Sequence, residues 1–326
     1  MLKVASFFSG AGGLDYGFHK TGFEVVFAND FFPEACETYK HNFGQGTLVE
    51  GDLWSLLDSV PDHDILLGGF PCQSYSLAGL RKGLEDPRGQ MIFAVVKNLQ
   101  RVKPKYFFLE NVRGIVSHES FEAILTFLKE VGYNVSARSL DLSKYGVPQK
   151  RHRVLFVGVR EDLAISPDVF FPQEVIQGAI LRDVLQGIRV PFGEENHNLH
   201  VSTKVKQHWF SVLREGENLA KLSEDEIRRR ETELGLEHKP IPKTFMGYRR
   251  LDGSKIAPTM VFGNTCLPIH PTENRNLSVR ECATIQGFPK DFLFKGSISS
   301  QYKQVGNAVP PLFSFLLARH IKSVLE

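Results

Sequence analysis

The chain has 326 residues, 42% of them hydrophobic and 23% charged, a balance that fits an ordinary globular protein of about two domains. It excludes a disordered or fibrous chain, and no apolar run approaches the roughly 20 residues needed to span a bilayer. The formal charge of +2 leaves any nucleic-acid-binding surface to a local patch. Four scattered cysteines (Cys36, Cys72, Cys266 and Cys282) without a CxxC pair predict reduced thiols, a cytoplasmic location and no metal site.

In chain order, MLKVASFFSGAGGLDYGF opens with an apolar run broken at Gly10 and Asp15, too short for a secretory signal and better read as a first strand. KVASFF, EVVF, DILLG and KYFFLE read as strands, and the stretches 14–21, 33–42, 91–101 and 121–131 as helices. This alternation predicts an α/β fold, a doubly wound, mostly parallel sheet covered on both faces. SARSLDLSKYGVPQKRHRVLFVGVR adds two β-type runs joined by a Gly/Pro turn, an expected antiparallel pair. From 161 to about 275 the pattern dissolves into Pro, Asn and Gly punctuation with one clear helix, SEDEIRRRETEL, which has a Ser N-cap and an acidic first turn. PPLFSFLLARHIKSVLE is an amphipathic helix opened by proline, apolar enough to dock on a core. The expected division is a large domain of 1–160 plus 301–326 and a smaller, irregular one of 161–300.

FFSGAGGLDYG lies where the first strand meets the first helix. Glycines there let backbone approach a ligand, and the helix start offers free N–H groups. A dinucleotide fingerprint needs a third glycine at position 15, which is Asp15, an unwelcome charge beside a pyrophosphate. A tight turn is the alternative reading. Asp30 follows the second apolar run, where acids grip ribose hydroxyls. Asp52 follows the third (TLVEGD), where a carboxylate can accept from an adenine amino group, and Phe31 can cover the adenine ring. Each acid alone is more often a helix N-cap. At successive strand ends they favour a nucleoside ligand without a phosphate chain, a description that S-adenosylmethionine meets.

DILLGGFPCQSYS places Pro71, Cys72 and Gln73 just beyond a buried strand, at the carboxyl edge where open α/β sheets bind ligands. A lone cysteine is usually an inert core residue. Here Gly68, Gly69 and Pro71 force a loop, and Gln73, Ser74 and Ser76 make it polar. YFFLENVRG puts Glu110 and Asn111 at the same edge, with capping of the next helix as the alternative for Glu110. QKRHR precedes the strand RVLFVGV. If that strand is antiparallel its start lies at the same edge, and Arg151 and Arg153 point the same way. A DNA-facing basic patch is the simpler reading of these arginines.

Six segments in order, FSGAGG, GGFPCQSYS, LENVRG, QKRHR, RECATIQGFPKDF and QVGNAVPP, resemble the motifs of the DNA cytosine-5 methyltransferases of the single-chain bacterial type. They cover nearly the whole chain outside 161–274. One departure is Asp30, where the family often has Glu; the shorter acid still reaches a ribose. The resemblance implies a Rossmann-like, S-adenosylmethionine-dependent methyltransferase domain beside a target-recognition domain. It implies that Cys72, ionising from a free pKa of about 8.5, adds to C6 of a cytosine flipped out of the duplex and so makes C5 nucleophilic. Glu110 then holds a proton toward N3, and Arg153 with Arg151 holds the base oxygen. Phe8, Gly10, Ala11, Gly13, Asp30, Phe31, Asp52, Leu53 and Pro71 match cofactor positions, with Asn307, Ala308 and Val309 as the far wall. Met91 matches a further apolar contact, or is core. Gln73, Ser76 and Asn111 are implied contacts to the DNA.

The stretch 161–275 holds fifteen Lys/Arg and seventeen Asp/Glu and is not basic as a whole. Within 239–255, however, five cations (Lys239, Lys243, Arg249, Arg250 and Lys255) face one anion, Asp252, with Phe245 and Tyr248 interleaved. Such a strip suits phosphate contacts and base readout, with Arg249 and Arg250 as DNA contacts; a solvated hairpin is the alternative. Thr259 occupies the place of a threonine that touches the backbone in relatives, and Arg280, Glu281 and Gln286 read as scaffold. The expected partner is double-stranded DNA, the enzyme acting as a monomer, with a cognate restriction endonuclease as a genetic partner. An RNA methylase of the transfer-RNA-modifying type competes, though the long recognition segment and the Tyr75-Ser76 form of the loop favour DNA. A nucleotide-cofactor oxidoreductase with a structural cysteine is opposed by the glycine spacing.

Overall fold

The apolar runs pair into one seven-stranded sheet in a computed structural model, which describes residues 1–71, 90–175, 177–194, 196–198, 203–240, 248–260 and 267–326. Strands and helices alternate: β1 (Lys3–Phe7), α1 (Asp15–Thr21), β2 (Glu24–Asp30), α2 (Pro33–Phe43), β3 (Leu48–Glu50), α3 (Leu53–Leu56), β4 (Ile65–Gly68), α4 (Met91–Val102), β5 (Tyr106–Val112), α5 (Ser120–Glu130), β6 (Tyr133–Asp141) and β7 (His152–Arg160). The spatial order is β3-β2-β1-β4-β5-β7-β6. The first five strands run parallel, and β7 runs antiparallel to both β5 and β6, as the turn between the last two runs predicts. The winding reverses between β1 and β4, so their carboxyl ends border the crevice where such sheets hold ligands.

Alternation along each strand fills both faces of the sheet. Val4, Ile65, Leu67, Phe108, Leu155 and Val157 pack on one side with Phe18 of α1. Ala5, Phe7, Leu66, Phe107, Leu109 and Phe156 pack on the other with Ile92, Val95 and Leu99 of α4. The C-terminal helix, called α11 below (Pro311–Leu325), returns to the first side through Phe313, Leu317 and Ile321. Its approach to α1 is close, for a Cβ on Gly17 would lie 2.2 Å from the Ser314 backbone.

Contacts divide the chain into two units, Met1–Val147, Arg151–Gln177 and Ala308–Glu326 in one, Pro148–Lys150 and Gly178–Asn307 in the other. The expected boundaries at 160 and 301 shift for identifiable reasons. Phe170 and Phe171 belong to the sheet's core, the Phe170 ring tilted 58° against Tyr106 with their centroids 5.2 Å apart. The residues before Ala308 pack within the second unit, where Tyr302 donates to the Leu277 carbonyl. That unit contains α6 (Leu181–Gln186), α7 (Lys204–Val212), α8 (Glu224–Glu233), α9 (Val279–Ile285) and α10 (Ile298–Asn307). The predicted Ser223 cap of α8 is present, but α6 and α7 were not expected; α7 is announced only by its Thr203 cap. Trp209, Phe210, Val212, Leu219, Ile227 and Ile269 form its small core. Among the described residues no helix is long and apolar enough to cross a membrane.

Candidate active site

Beyond β1 the chain turns through left-handed backbone at Phe8 (φ +56°), Gly10 (φ +54°) and Gly12 (φ +90°). For a bulky residue such as Phe8 this conformation is strained. Gly12 and Gly13 are required by packing, since a Cβ would come 2.2 Å from the Phe43 ring or 2.3 Å from the Val309 carbonyl oxygen. Gly13 thus meets Ala308 and Val309, two of the three residues expected as the far wall, while Asn307 ends α10 in the other unit and is exposed. Gly10 N–H donates to Asp30 Oδ2 at 2.8 Å and Phe32 N–H to Oδ1 at 2.9 Å, which fixes the Asp30 carboxylate beside the glycine loop. Gly51 N–H, bonded to the Asp30 carbonyl at 3.0 Å, brings the next strand end alongside. Asp52 there caps α3 through Trp54 N–H and remains exposed, so the N-cap reading holds without removing it from a ligand's reach. Phe31 is 71% exposed, whereas Ala11 and Leu53 are buried.

Beneath this loop lies a residue the sequence reading treated only as an obstacle to phosphate. Asp15 is fully buried, accepts from Ser6 Oγ at 2.6 Å, and its carboxyl is pushed up to about 6 by burial, against the Ser6 bond. Ser9 Oγ continues the network to Ser6 and receives the Asn29 N–H.

At the β5–β7 edge, register explains the second cluster. Glu110 lies opposite Leu155, so Arg153 is its diagonal neighbour on the same face. Arg153 Nε lies 2.7 Å from Glu110 Oε1, and each side chain is 13% exposed. Burial pushes the Glu110 carboxyl up, against the opposing pull of Arg153 and Arg151. The pair adjoins the loop that leads to Pro71, because a Cβ on Gly69 would be 3.7 Å from Glu110 Oε2. Cys72, Gln73 and Ser76 lie outside the described residues.

Two expectations at this edge are corrected. Asn111 is fully buried, donates to the Phe70 carbonyl at 3.2 Å and accepts from Val112 N–H at 2.8 Å. It holds the backbone just before Pro71 and does not present its amide to DNA. Arg151 is 2% exposed and donates to the Ala308 carbonyl at 3.2 Å, bracing the turn into α11, while the Arg153 guanidinium meets Glu110. Met91, half-buried on the core at the start of α4, follows its apolar alternative.

The basic strip is corrected too. Arg250 is 4% exposed and donates to the carbonyls of Phe210, Leu213, His270 and Glu273 at 2.6, 2.9, 2.7 and 2.7 Å, and to Asn274 Oδ1 at 2.5 Å. It cross-links the unit from within and is not a DNA contact. Arg249 is exposed. Lys243 and Phe245 lie outside the described residues, and Lys255 pairs with Asp252 at 2.5 Å. Thr259 is exposed and donates to the Lys150 carbonyl. The scaffold residues act as such: Arg280 holds the Phe292 carbonyl at 2.8 Å, Glu281 completes a capping box with Ser278, and Gln286 accepts from Gln149.

The family model for C-5 cytosine-specific DNA methylases matches residues 2–323. The Type II methyltransferase M.MthTI of Methanothermobacter thermautotrophicus is 37% identical over 100% of this chain and 98% of its own. M.FnuDI of Fusobacterium nucleatum, also a Type II methyltransferase, is 36% identical over 99% of this chain and 95% of its own. The fold is that of a solved DNA modification methyltransferase encoded within an E. coli prophage, with a TM-score of 0.78 at 23% identity over 100% of this chain and 99% of that one. A glycine loop and two acids at adjoining strand ends, a Glu–Arg pair beside Gly69 and a match from end to end lead to one conclusion: the chain belongs to the C-5 cytosine-specific DNA methylases.

Proposed function

We propose that the protein transfers a methyl group from S-adenosylmethionine to C5 of a cytosine flipped out of a specific duplex sequence, through a covalent Cys72–C6 adduct, as the modification enzyme of a type II restriction-modification system. The observation that carries this reading is the Glu110–Arg153 pair, 2.7 Å apart, largely buried and close to Gly69, three residues before Cys72 in the sequence. A nucleoside cofactor fits the first cluster: Asp30 and Asp52 offer acceptors at neighbouring strand ends, Phe31 an exposed ring, and among the described residues the only atom a Cβ on Gly10 would meet is Asp30 Oδ2, at 4.0 Å. When bound, that cofactor supplies an electrophilic methyl group. Cys72 adds as thiolate to C6, which moves electron density toward C5. Glu110 gives its proton to N3 and accepts from the exocyclic amino group, a task suited to a carboxyl that burial holds toward its acid form. Arg153 orients that carboxyl and opposes the charge that develops on the ring, and Arg151 contributes its field from behind. Loss of the C5 proton and elimination of the Cys72 sulfur then restore the aromatic ring and the free thiol.

Duplex DNA carrying 5-fluorocytosine tests the reading, since fluorine cannot leave as a proton and the adduct persists. The wild-type chain should form it, and Cys72→Ser should abolish it while DNA binding survives. An undiminished adduct in the variant would falsify the nucleophile assignment. Bisulfite sequencing of treated DNA identifies the modified cytosine, and methyl label entering RNA but not duplex DNA would overturn the substrate.

A further inference from the structure

Three strand exits of the first unit meet at one buried amide that the chemistry above does not use. Asn29, the next-to-last residue of β2, is 1% exposed. Its Nδ2 donates to the Val49 carbonyl at 2.9 Å and to the Gly51 carbonyl at 3.0 Å, both at the exit of β3. Toward β1, its N–H donates to Ser9 Oγ at 3.3 Å and its carbonyl accepts from Ser9 N–H at 2.9 Å. The next carbonyl of β2, that of Asp30, accepts from Gly51 N–H at 3.0 Å. Consecutive residues of β2 therefore hold both polar groups of Gly51, and Gly51 directly precedes Asp52.

The grip matters because of what it holds. Gly51 has a φ of +148°, which residues with side chains rarely adopt, and as glycine it resists redirection less than any other residue. The chain beyond it is aimed by whatever fixes its peptide groups. Asp30 does not depend on this grip, since Gly10 N–H and Phe32 N–H hold its carboxylate separately. The Asp52 carboxylate instead caps its own helix through Trp54 N–H at 3.4 Å, so it moves with α3. An apolar residue at position 29 would fill the same space but leave the Gly51 carbonyl without its donor.

We propose that Asn29 is a positioning residue of the cofactor site: by gripping the Gly51 carbonyl from β2, its amide sets the place of Asp52 relative to Asp30, and with it the selectivity for adenine. The inference rests on the reading of Asp30 as acceptor for the ribose and Asp52 as acceptor for the adenine amino group. Asn29 is enclosed beneath the strand ends and acts through Gly51.

The test uses the full chain and compares equilibrium binding of S-adenosylhomocysteine, the demethylated cofactor, with that of S-inosylhomocysteine. In the latter a carbonyl oxygen replaces the amino group and faces the Asp52 carboxylate. The ratio of the two affinities does not depend on how much of a variant is folded. The wild-type chain should prefer the adenosyl compound by about tenfold or more, the worth of one hydrogen bond to a charged group. Asp52→Ala should bring the ratio to within about threefold of unity by removing that bond. Asn29→Leu, which keeps the shape and removes both donors, should do the same, as should Asn29→Ser, too short to reach both carbonyls. Adding Asn29→Leu to Asp52→Ala should lower the ratio no further, since both act on one contact. Ser9→Ala loosens the β1 side of Asn29 and should weaken both compounds alike, with the ratio kept. A wild-type ratio in both Asn29 variants, a ratio lost equally in Ser9→Ala, or a further loss in the double variant would each overturn the proposal. A wild-type chain that binds neither compound, or both equally, overturns the reading of the cofactor site itself, and does so before any substitution is made.

Discussion

Arg153 and Arg250 are the same side chain, buried in two regions to different ends. At the sheet edge Arg153 meets a carboxyl that burial pushes up, leaving a pair whose proton can still move. In the second unit Arg250 is enclosed by backbone carbonyls, partners that do not titrate. Charge and burial alone therefore do not mark a reactive arginine; the partner does. The largest effect that would sharpen this contrast is Glu110→Gln, which keeps shape but cannot pass a proton to N3. Methylation should fall about 10²- to 10⁴-fold, the usual contribution of general acid–base catalysis, with DNA binding retained. Because burial raises the carboxyl, its acid form persists to higher pH than that of an ordinary glutamate, and wild-type activity should decline as pH rises and it ionises. A variant within tenfold of wild type would break the comparison.

Arg250→Ala is the complementary measurement. It strands several buried carbonyls at once, and roughly 3 kcal/mol or more of stability should be lost on denaturant unfolding. Arg250→Lys should rescue little, since an ammonium cannot reproduce the planar fork. Wild-type stability combined with lost DNA affinity would return Arg250 to the DNA surface.

How far the sequence could be read depends on periodicity. Strand alternation and an antiparallel last pair were enough to bring Glu110 and Arg153 to one edge, and the β5–β7 register delivers them. The same rule, applied to neighbours, catches two of the errors. Asn111 follows Glu110 in a strand and so faces the core. Arg249 and Arg250 are adjacent in a bridged, extended stretch, so they cannot share a face. That stretch reads as loop from sequence, because its partners Asn218 and Ile269 lie in segments without a regular pattern. The Gln149–Gln286 bond, spanning 137 residues, leaves no local trace at all. Asp15 resembles an ordinary acid in a first helical turn, and only tertiary packing buries it against Ser6.

Asp15 gives the first unit its own enclosed charge, and its signature is a slope against pH. The folded state holds the proton to about 6, while the unfolded chain releases it near the ordinary aspartate value of 3.8. The folded form therefore binds more protons between these values, and stability falls as pH rises through that window, by up to about 3 kcal/mol, then levels off. Asp15→Asn keeps an acceptor for Ser6 and removes the titration, so its melting temperature should not share that part of the slope. Parallel curves for the two proteins from pH 4 to 7 would sink the assignment.

The smallest effect belongs to Arg249, and it completes the pair that Arg250 began. Arg249 is exposed, and its neighbour's side chain is turned inward, so the outward face of this stretch presents Arg249 as its cation. A phosphate contact there is worth little energy but carries a recognisable dependence, because each neutralised phosphate releases counterions. Arg249→Ala should leave unfolding within about 0.5 kcal/mol of wild type, in contrast to Arg250→Ala. It should weaken DNA binding across all sequences and reduce the slope of log affinity against log salt by about 1. If the slope is unchanged while affinity falls only for the cognate site, Arg249 reads a base edge instead. If neither moves, the DNA-facing cations of this unit lie elsewhere, and Lys239, at the other end of the strip, becomes the next residue to change.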